Sequence, residues 1–174
     1  EHPLRKKAVS PDPVYAVVTN CTYHGVCYDA TKAQDLLDKS VDVIHFDEAW
    51  YAYAAFHEFY AGRHAMGVPR GHARADHTLV FATQSTHKLL AAFSQASMIH
   101  IQESDKRKID TTRFNDAFMM HGSTSLYYGI IALLDVSSAM MEGTSGRSIV
   151  QETHDEAMHF RSALAAVGTN FKKA

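Results

Sequence analysis

Phe81-Ala82-Thr83-Gln84-Ser85-Thr86-His87-Lys88-Leu89-Leu90 and, upstream, His45-Phe46-Asp47-Glu48-Ala49-Trp50 are the stretches that decide the fold of this chain. Each begins as an apolar, strand-like run and stops abruptly at polar residues capable of chemistry. Working outward, Val41 to Phe46 and Thr78 to Thr83 read as buried strands, rich in β-branched and aromatic side chains. Val14 to Thr19, behind the lead Ser10-Pro11-Asp12-Pro13, reads as a third strand and Ser97 to Ile101 as a fourth. Between them, Thr31 to Lys39 predicts a short helix with Leu36 and Leu37 turned inward, and Glu48 to Ala61 a second helix. Gly62 to His77, rich in Gly, His and Arg, reads as a surface loop. Strands alternating with helices predict an α/β domain with a mostly parallel sheet and flanking helices.

After Asp110 the pattern becomes helical. Ile130, Ile131, Leu133, Leu134, Val136, Met140 and Met141 predict a helix apolar on nearly all sides and therefore buried. Arg147 to Phe171 predicts an amphipathic helix lying on the core. The chain thus divides into a sheet portion, 1–110, and a helical portion, 111–174.

Bulk properties narrow the function classes. The 174 residues suit one domain with a real core, and 46% hydrophobic residues argue against disorder. A net charge of −2 advertises neither a nucleic acid nor an anionic membrane as partner. No apolar run reaches the roughly 20 residues that span a bilayer. The N-terminal residues lead into no signal-peptide core. Cys21 and Cys27, six apart and outside any zinc spacing, read as reduced cytoplasmic thiols. There is no HExxH, GxGxxG, P-loop or GxSxG, so neither a metal nor a nucleotide is expected.

Asp47 falls at the carboxyl end of a parallel strand, the edge where ligands bind in open α/β sheets. Its competing role is to cap a helix beginning at Glu48 or Ala49. Lys88, which at an ordinary pKa of about 10.4 is a weak nucleophile, has hydroxyls and an imidazole beside it. A lysine after a loop is most often a solvated surface residue. Here it precedes Leu89-Leu90-Ala91-Ala92-Phe93, a run expected to enter the core. Ser85 and His87 offer donors suited to a phosphate dianion, the competing role of Ser85-Thr86 being a turn or helix cap. An amine, a carboxylate for a pyridine nitrogen and small phosphate donors together form the set a pyridoxal phosphate site requires.

Three blocks of wording carry a resemblance: Val17-Val18-Thr19-Asn20-Cys21-Thr22-Tyr23, His45-Phe46-Asp47-Glu48-Ala49-Trp50-Tyr51, and Ser85-Thr86-His87-Lys88-Leu89-Leu90-Ala91-Ala92-Phe93-Ser94-Gln95-Ala96-Ser97. A looser match runs through Phe114-Asn115-Asp116-Ala117-Phe118-Met119-Met120-His121. The chain resembles the bacterial ornithine/lysine/arginine decarboxylases, pyridoxal phosphate enzymes of the aminotransferase-like fold (fold type I), over part of their cofactor-binding major domain. The resemblance implies that Lys88 is the Schiff-base lysine and that Asp47 pairs with the pyridine nitrogen. It also implies that Ser85 and His87 contact the phosphate and that Trp50 lies near the cofactor. Either Lys88 or His87 could return a proton to the α-carbon.

His121-Gly122-Ser123-Thr124-Ser125 resembles a loop that reaches the phosphate of a neighbouring subunit, which implies a homodimer or higher homo-oligomer, with Ser123 as the contact. His24, Ala55 and Leu126 depart from the family's usual aspartate, arginine and proline, and Leu126 puts the Ser123 loop geometry in question. The family's chains are several times longer, so a cofactor half-site within a larger enzyme is expected, with little activity in this segment alone. The 12 histidines suit an acid-induced decarboxylase, and composition alone accounts for them equally well. The implied substrate is a basic amino acid, arginine ahead of lysine or ornithine. Two other readings are an aminotransferase of the same fold and a non-catalytic module that keeps the fold.

Overall fold

The computed structural model describes residues 13–68 and 78–171, with the side chains of 169–171 excepted. Four strands, β1 (Tyr15–Thr19), β2 (Val43–Asp47), β3 (Leu79–Gln84) and β4 (Met98–Gln102), form one sheet in the order β1-β2-β3-β4. The first two pairings are parallel and the third is antiparallel, so the sheet is mostly parallel as expected. Register places Thr19, Asp47 and Thr83 side by side. The carboxyl ends of three strands therefore finish at one level, and the residues that follow them share an edge.

The core lies where the inward faces of β2 and β3 (Ile44, Phe46, Val80, Ala82) meet Ala30 and Ala65. Burying side chains of the size of Ile44 and Phe46 contributes about 1.5–3 kcal/mol each. Helix α1 (Ala30–Leu37) starts at Asp29, whose carboxylate accepts from the Lys32 amide at 3.0 Å. Its core face is Ala30, Ala33, Gln34 and Leu37, the i, i+3, i+4, i+7 set. Leu36 is about 100° off that stripe and points outward, 79% exposed, against the inward placement expected of it.

No α-helix covers residues 48–61. Two 3-10 turns, Ala52–Phe56 and Glu58–Tyr60, stand there, separated by an extended His57. Aromatic residues are poor helix formers, and here they pack on several sides at once. Tyr51, Tyr53 and Tyr60 form a triangle of edge-on rings with centroids 5.4–5.7 Å apart. The segment expected as a surface loop dips into the core as the 3-10 turn Ala65–Gly67, with Ala65 and Val68 buried. The rest of that loop lies outside the described residues.

Beyond the four-residue helix α2 (Thr86–Leu89), the chain ends in α3 (Thr111–His121), α4 (Tyr128–Met141) and α5 (Gly143–Phe171). Helix α3 is capped by Asp110, which accepts from Thr112 and Arg113 amides. Helix α4 is not buried as expected: Ser137 and Met141 are enclosed while Ile131, Val136 and Met140 are nearly half exposed. Helix α5 docks through its first turns, at Val150 and at His154, whose ring stacks on His57 at 4.6 Å. Past that point Phe160, Leu164 and Val167 are exposed, because no described residue lies over them. No helix among the described residues is long and apolar enough to cross a membrane.

Candidate active site

Asp47 ends β2 half-buried, with Oδ1 accepting from the Ala49 amide at 3.1 Å. It caps a tight turn rather than a helix, and among the described residues Oδ2 accepts no hydrogen bond. That turn carries the chain to Trp50, whose position beside Asp47 comes from the turn and not from a shared helix face. The edge of Tyr23 meets the Trp50 ring at 5.4 Å.

Lys88 comes to this place from the other strand. β3 ends at Gln84, Ser85 stands before α2, and Lys88 lies in its last turn. Its Nζ sits 4.6 Å from the centre of the Trp50 ring. Lys88 and Leu89 are exposed, contrary to the expectation that the apolar run would draw them inside. A four-residue helix followed by extended Leu90 turns Leu89 and Phe93 outward. The amine therefore rests on an aromatic face with its end accessible, and it makes no ion pair among the described residues.

His87 donates its backbone amide to Ala96 O at 3.2 Å, and its Nδ1 lies 2.8 Å from the same carbonyl. A carbonyl only accepts, so the proton is assigned to Nδ1 and Nε2 is left free. Gln95, just before Ala96, has a positive φ of 76°, uncommon for a non-glycine residue. The Ser85 hydroxyl makes no capping bond, and Thr86 Oγ1 is buried without a partner. Beneath them is a cavity of about 240 Å³ lined by His64, Gln84, Thr86, His100 and Ser137, among others. Ser123 lies in the exposed α3–α4 connection, and its bonds to Ser125 stay within that loop.

Sequence reasoning missed Glu48. It is fully buried, and Oε1 accepts from Asn20 Nδ2 and the Ala65 amide, both at 2.7 Å. Oε2 accepts from Gln84 Nε2 at 3.1 Å. The signal was present: Asn20 and Glu48 directly follow Thr19 and Asp47, and Gln84 follows Thr83, so each aligned strand carries a polar residue at the same level. Burial holds His64 below its ordinary value, with the Glu48 charge pulling it back up. Burial and Cys27 push the Cys21 thiol up to about 12. Among the described residues no group of three or more His, Cys, Asp or Glu side chains could hold a metal.

The family profile described as Orn/Lys/Arg decarboxylase, major domain, matches residues 1–173. The chain is 63% identical to lysine decarboxylase LdcA of Pseudomonas aeruginosa over 163 residues, 94% of this chain and 21% of that protein. It is 53% identical to the biodegradative arginine decarboxylase of Escherichia coli over 172 residues, 98% of this chain and 22% of that protein. The solved structure of lysine decarboxylase A from Pseudomonas aeruginosa superposes with a TM-score of 0.84 at 62% identity, over 92% of this chain and 21% of that one. The chain spans about a fifth of the length of the curated relatives it matches. On this match, and on an α/β fold shared with the solved relative, the chain belongs to the Orn/Lys/Arg decarboxylase family, within the major domain.

Proposed function

We propose that this segment forms the lysine-bearing half of a pyridoxal phosphate site in a decarboxylase that converts a basic amino acid to its amine and carbon dioxide. One observation carries the reading: Lys88 Nζ lies over Trp50, three residues from Asp47, at the carboxyl edge of two adjacent parallel strands. The residues fit the cofactor. Asp47 keeps an oxygen without a hydrogen bond, the Ser85 hydroxyl makes no capping bond, and Lys88 has no competing ion pair among the described residues.

When bound, pyridoxal phosphate supplies a sink for the electron pair released as carbon dioxide leaves. Lys88 would be the amine that holds it, and Asp47 would keep a proton on its ring nitrogen. Ser85 and the His87 ring would contact its phosphate. Trp50 borders the ring and orients Lys88. Lys88 would return a proton to the α-carbon, or His87 in its place where its Nε2 does not hold the phosphate.

Lysine ranks ahead of arginine on the greater identity to the Pseudomonas enzyme, the reverse of the order the resemblance alone implied. The exposed apolar face of α4 and α5 supports an assembled protein in which that face is covered. A homodimer in which Ser123 reaches the partner's phosphate fits this. The free thiols of Cys21 and Cys27 support a reducing cytoplasmic setting.

The test is amine analysis of the natural protein offered lysine, arginine and ornithine at mildly acidic pH. Cadaverine or agmatine should form, and a visible absorption band should appear with pyridoxal phosphate. Lys88→Ala should abolish both. A wild-type protein that shows neither would refute the reading.

A further inference from the structure

We infer that Glu48 is a positioning residue that sets Lys88 against Asp47, an inference that rests on the function proposed above. Glu48 sits one peptide bond from Asp47, and its own amide donates to Thr83 O at 2.9 Å. Its side chain then gathers the chain segments that leave the sheet at this edge. Asn20 follows β1, Gln84 ends β3 just before Ser85-Thr86-His87-Lys88, and Ala65 belongs to the turn that closes the core. Asn20 is itself anchored, its amide donating to Asp47 O and its Nδ2 to Arg63 O.

The chain of bonds continues one strand further. Gln84 Oε1 lies 3.1 Å from His100 Nε2 on β4, so the Gln84 amide donates to Glu48 and accepts from His100. A single polar line thus runs from Asn20, across the ends of β2 and β3, to His100 in the middle of β4. Its centre is a carboxylate whose two oxygens accept three N–H groups and donate none. No lysine or arginine pairs with Glu48 among the described residues. Hydrogen bonds are its main hold, with His64 near enough to feel its charge, so their loss shifts the segments they join.

These roles make the substitutions specific. In Glu48→Gln the new Nε2 faces Gln84 Nε2, donor against donor. Relief comes when the Gln84 amide turns over, which presents a donor to His100 and forces that ring to accept. Combining Glu48→Gln with Gln84→Glu exchanges the two side chains and restores every bond. The amide oxygen now at position 48 accepts from Asn20 and Ala65, and the amide nitrogen donates across to position 84. The carboxylate now at position 84 accepts that bond and the one from His100. Gln84→Met is the milder probe, since it removes the bonds of Gln84 to Glu48 and His100 and leaves Glu48 bonded to Asn20 and Ala65.

The experiment uses the natural protein loaded with pyridoxal phosphate. Glu48→Gln and Gln84→Met should each lower kcat by roughly 10- to 100-fold, the scale of a small misplacement of reacting groups, with KM for the amino acid within about twofold. The cofactor dissociation constant, read by absorbance, should rise in both, and the exchange variant should recover most of both losses. If Glu48→Gln does not fold, Gln84→Met decides by the same readouts. Wild-type kcat and cofactor affinity in Gln84→Met, or an exchange variant no better than Glu48→Gln, overturn the inference. If Lys88→Ala loses the cofactor band while Glu48→Gln and Gln84→Met behave as wild type, the inference fails and the proposed function stands. A wild-type protein with no band removes both.

Discussion

Trp50 should be energetically coupled to Lys88 before any cofactor is present. The ammonium lies 4.6 Å from the ring centre, inside the range of a cation–π contact, and Lys88 is exposed. At an exposed site such a contact is worth about 0.5–1 kcal/mol, or roughly a two- to fivefold enrichment of the lysine in this orientation. Trp50→Leu also loses the edge contact with Tyr23, so its total cost exceeds the coupling. A double-mutant cycle of Trp50→Leu and Lys88→Met, read by denaturant unfolding of the apo-protein, isolates the pair term. The expected coupling is about 0.5–1 kcal/mol, with Trp50→Phe keeping part of it. A coupling below about 0.2 kcal/mol would refute the view that Trp50 holds the lysine in place. A matching two- to fivefold rise in the cofactor dissociation constant should follow in Trp50→Leu. A rise beyond roughly 50-fold would show that Trp50 acts mainly by touching the cofactor, with lysine placement secondary.

Two further outcomes follow from buried groups. His64 is held below 6.5 by burial, so the unfolded chain takes up its proton first as pH falls. Stability is full above the unfolded value, declines as pH drops through it, and levels off once the folded ring protonates. The slope from this residue is at most about 1.4 kcal/mol per pH unit, and His64→Phe should remove it from a stability–pH series. An unchanged slope in His64→Phe refutes that assignment. Cys21, pushed up to about 12, should resist iodoacetamide at pH 8 in the native protein while half-buried Cys27 reacts. Equal labelling of the two by peptide mass spectrometry would contradict the burial argument.

The strands and the residues at their ends were legible because a period-two apolar run that stops at a polar residue has few other meanings. All four strands lie within two residues of their expected bounds, and Asp47 and Lys88 meet at one edge through Trp50. The helical readings fared worse where packing depends on distant residues. Leu36 and Leu37 are neighbours in sequence but about 100° apart on α1, and only the position of the sheet decides which is inside. Residues 48–61 hold enough aromatic side chains to satisfy an amphipathic stripe, yet a three-tyrosine cluster and the inward turn of Glu48 win over the helix. Glu48 looked like the first residue of that helix. Its role is visible only once the strand register aligns Asn20, Glu48 and Gln84. For α4 and α5, an apolar composition says that a surface will be covered, and says nothing of what covers it.

The β1 edge has a practical consequence for handling this segment. Among the described residues β1 pairs only with β2, so one side of its backbone offers free amides and carbonyls, and Val14, Tyr15 and Val17 are each at least half exposed. An edge strand of this kind is a template for another strand. Expressed alone, the segment should pair edge to edge with its own copies and aggregate as its concentration rises. Val17→Lys would keep the edge soluble without touching Ala16 and Val18, which face the core.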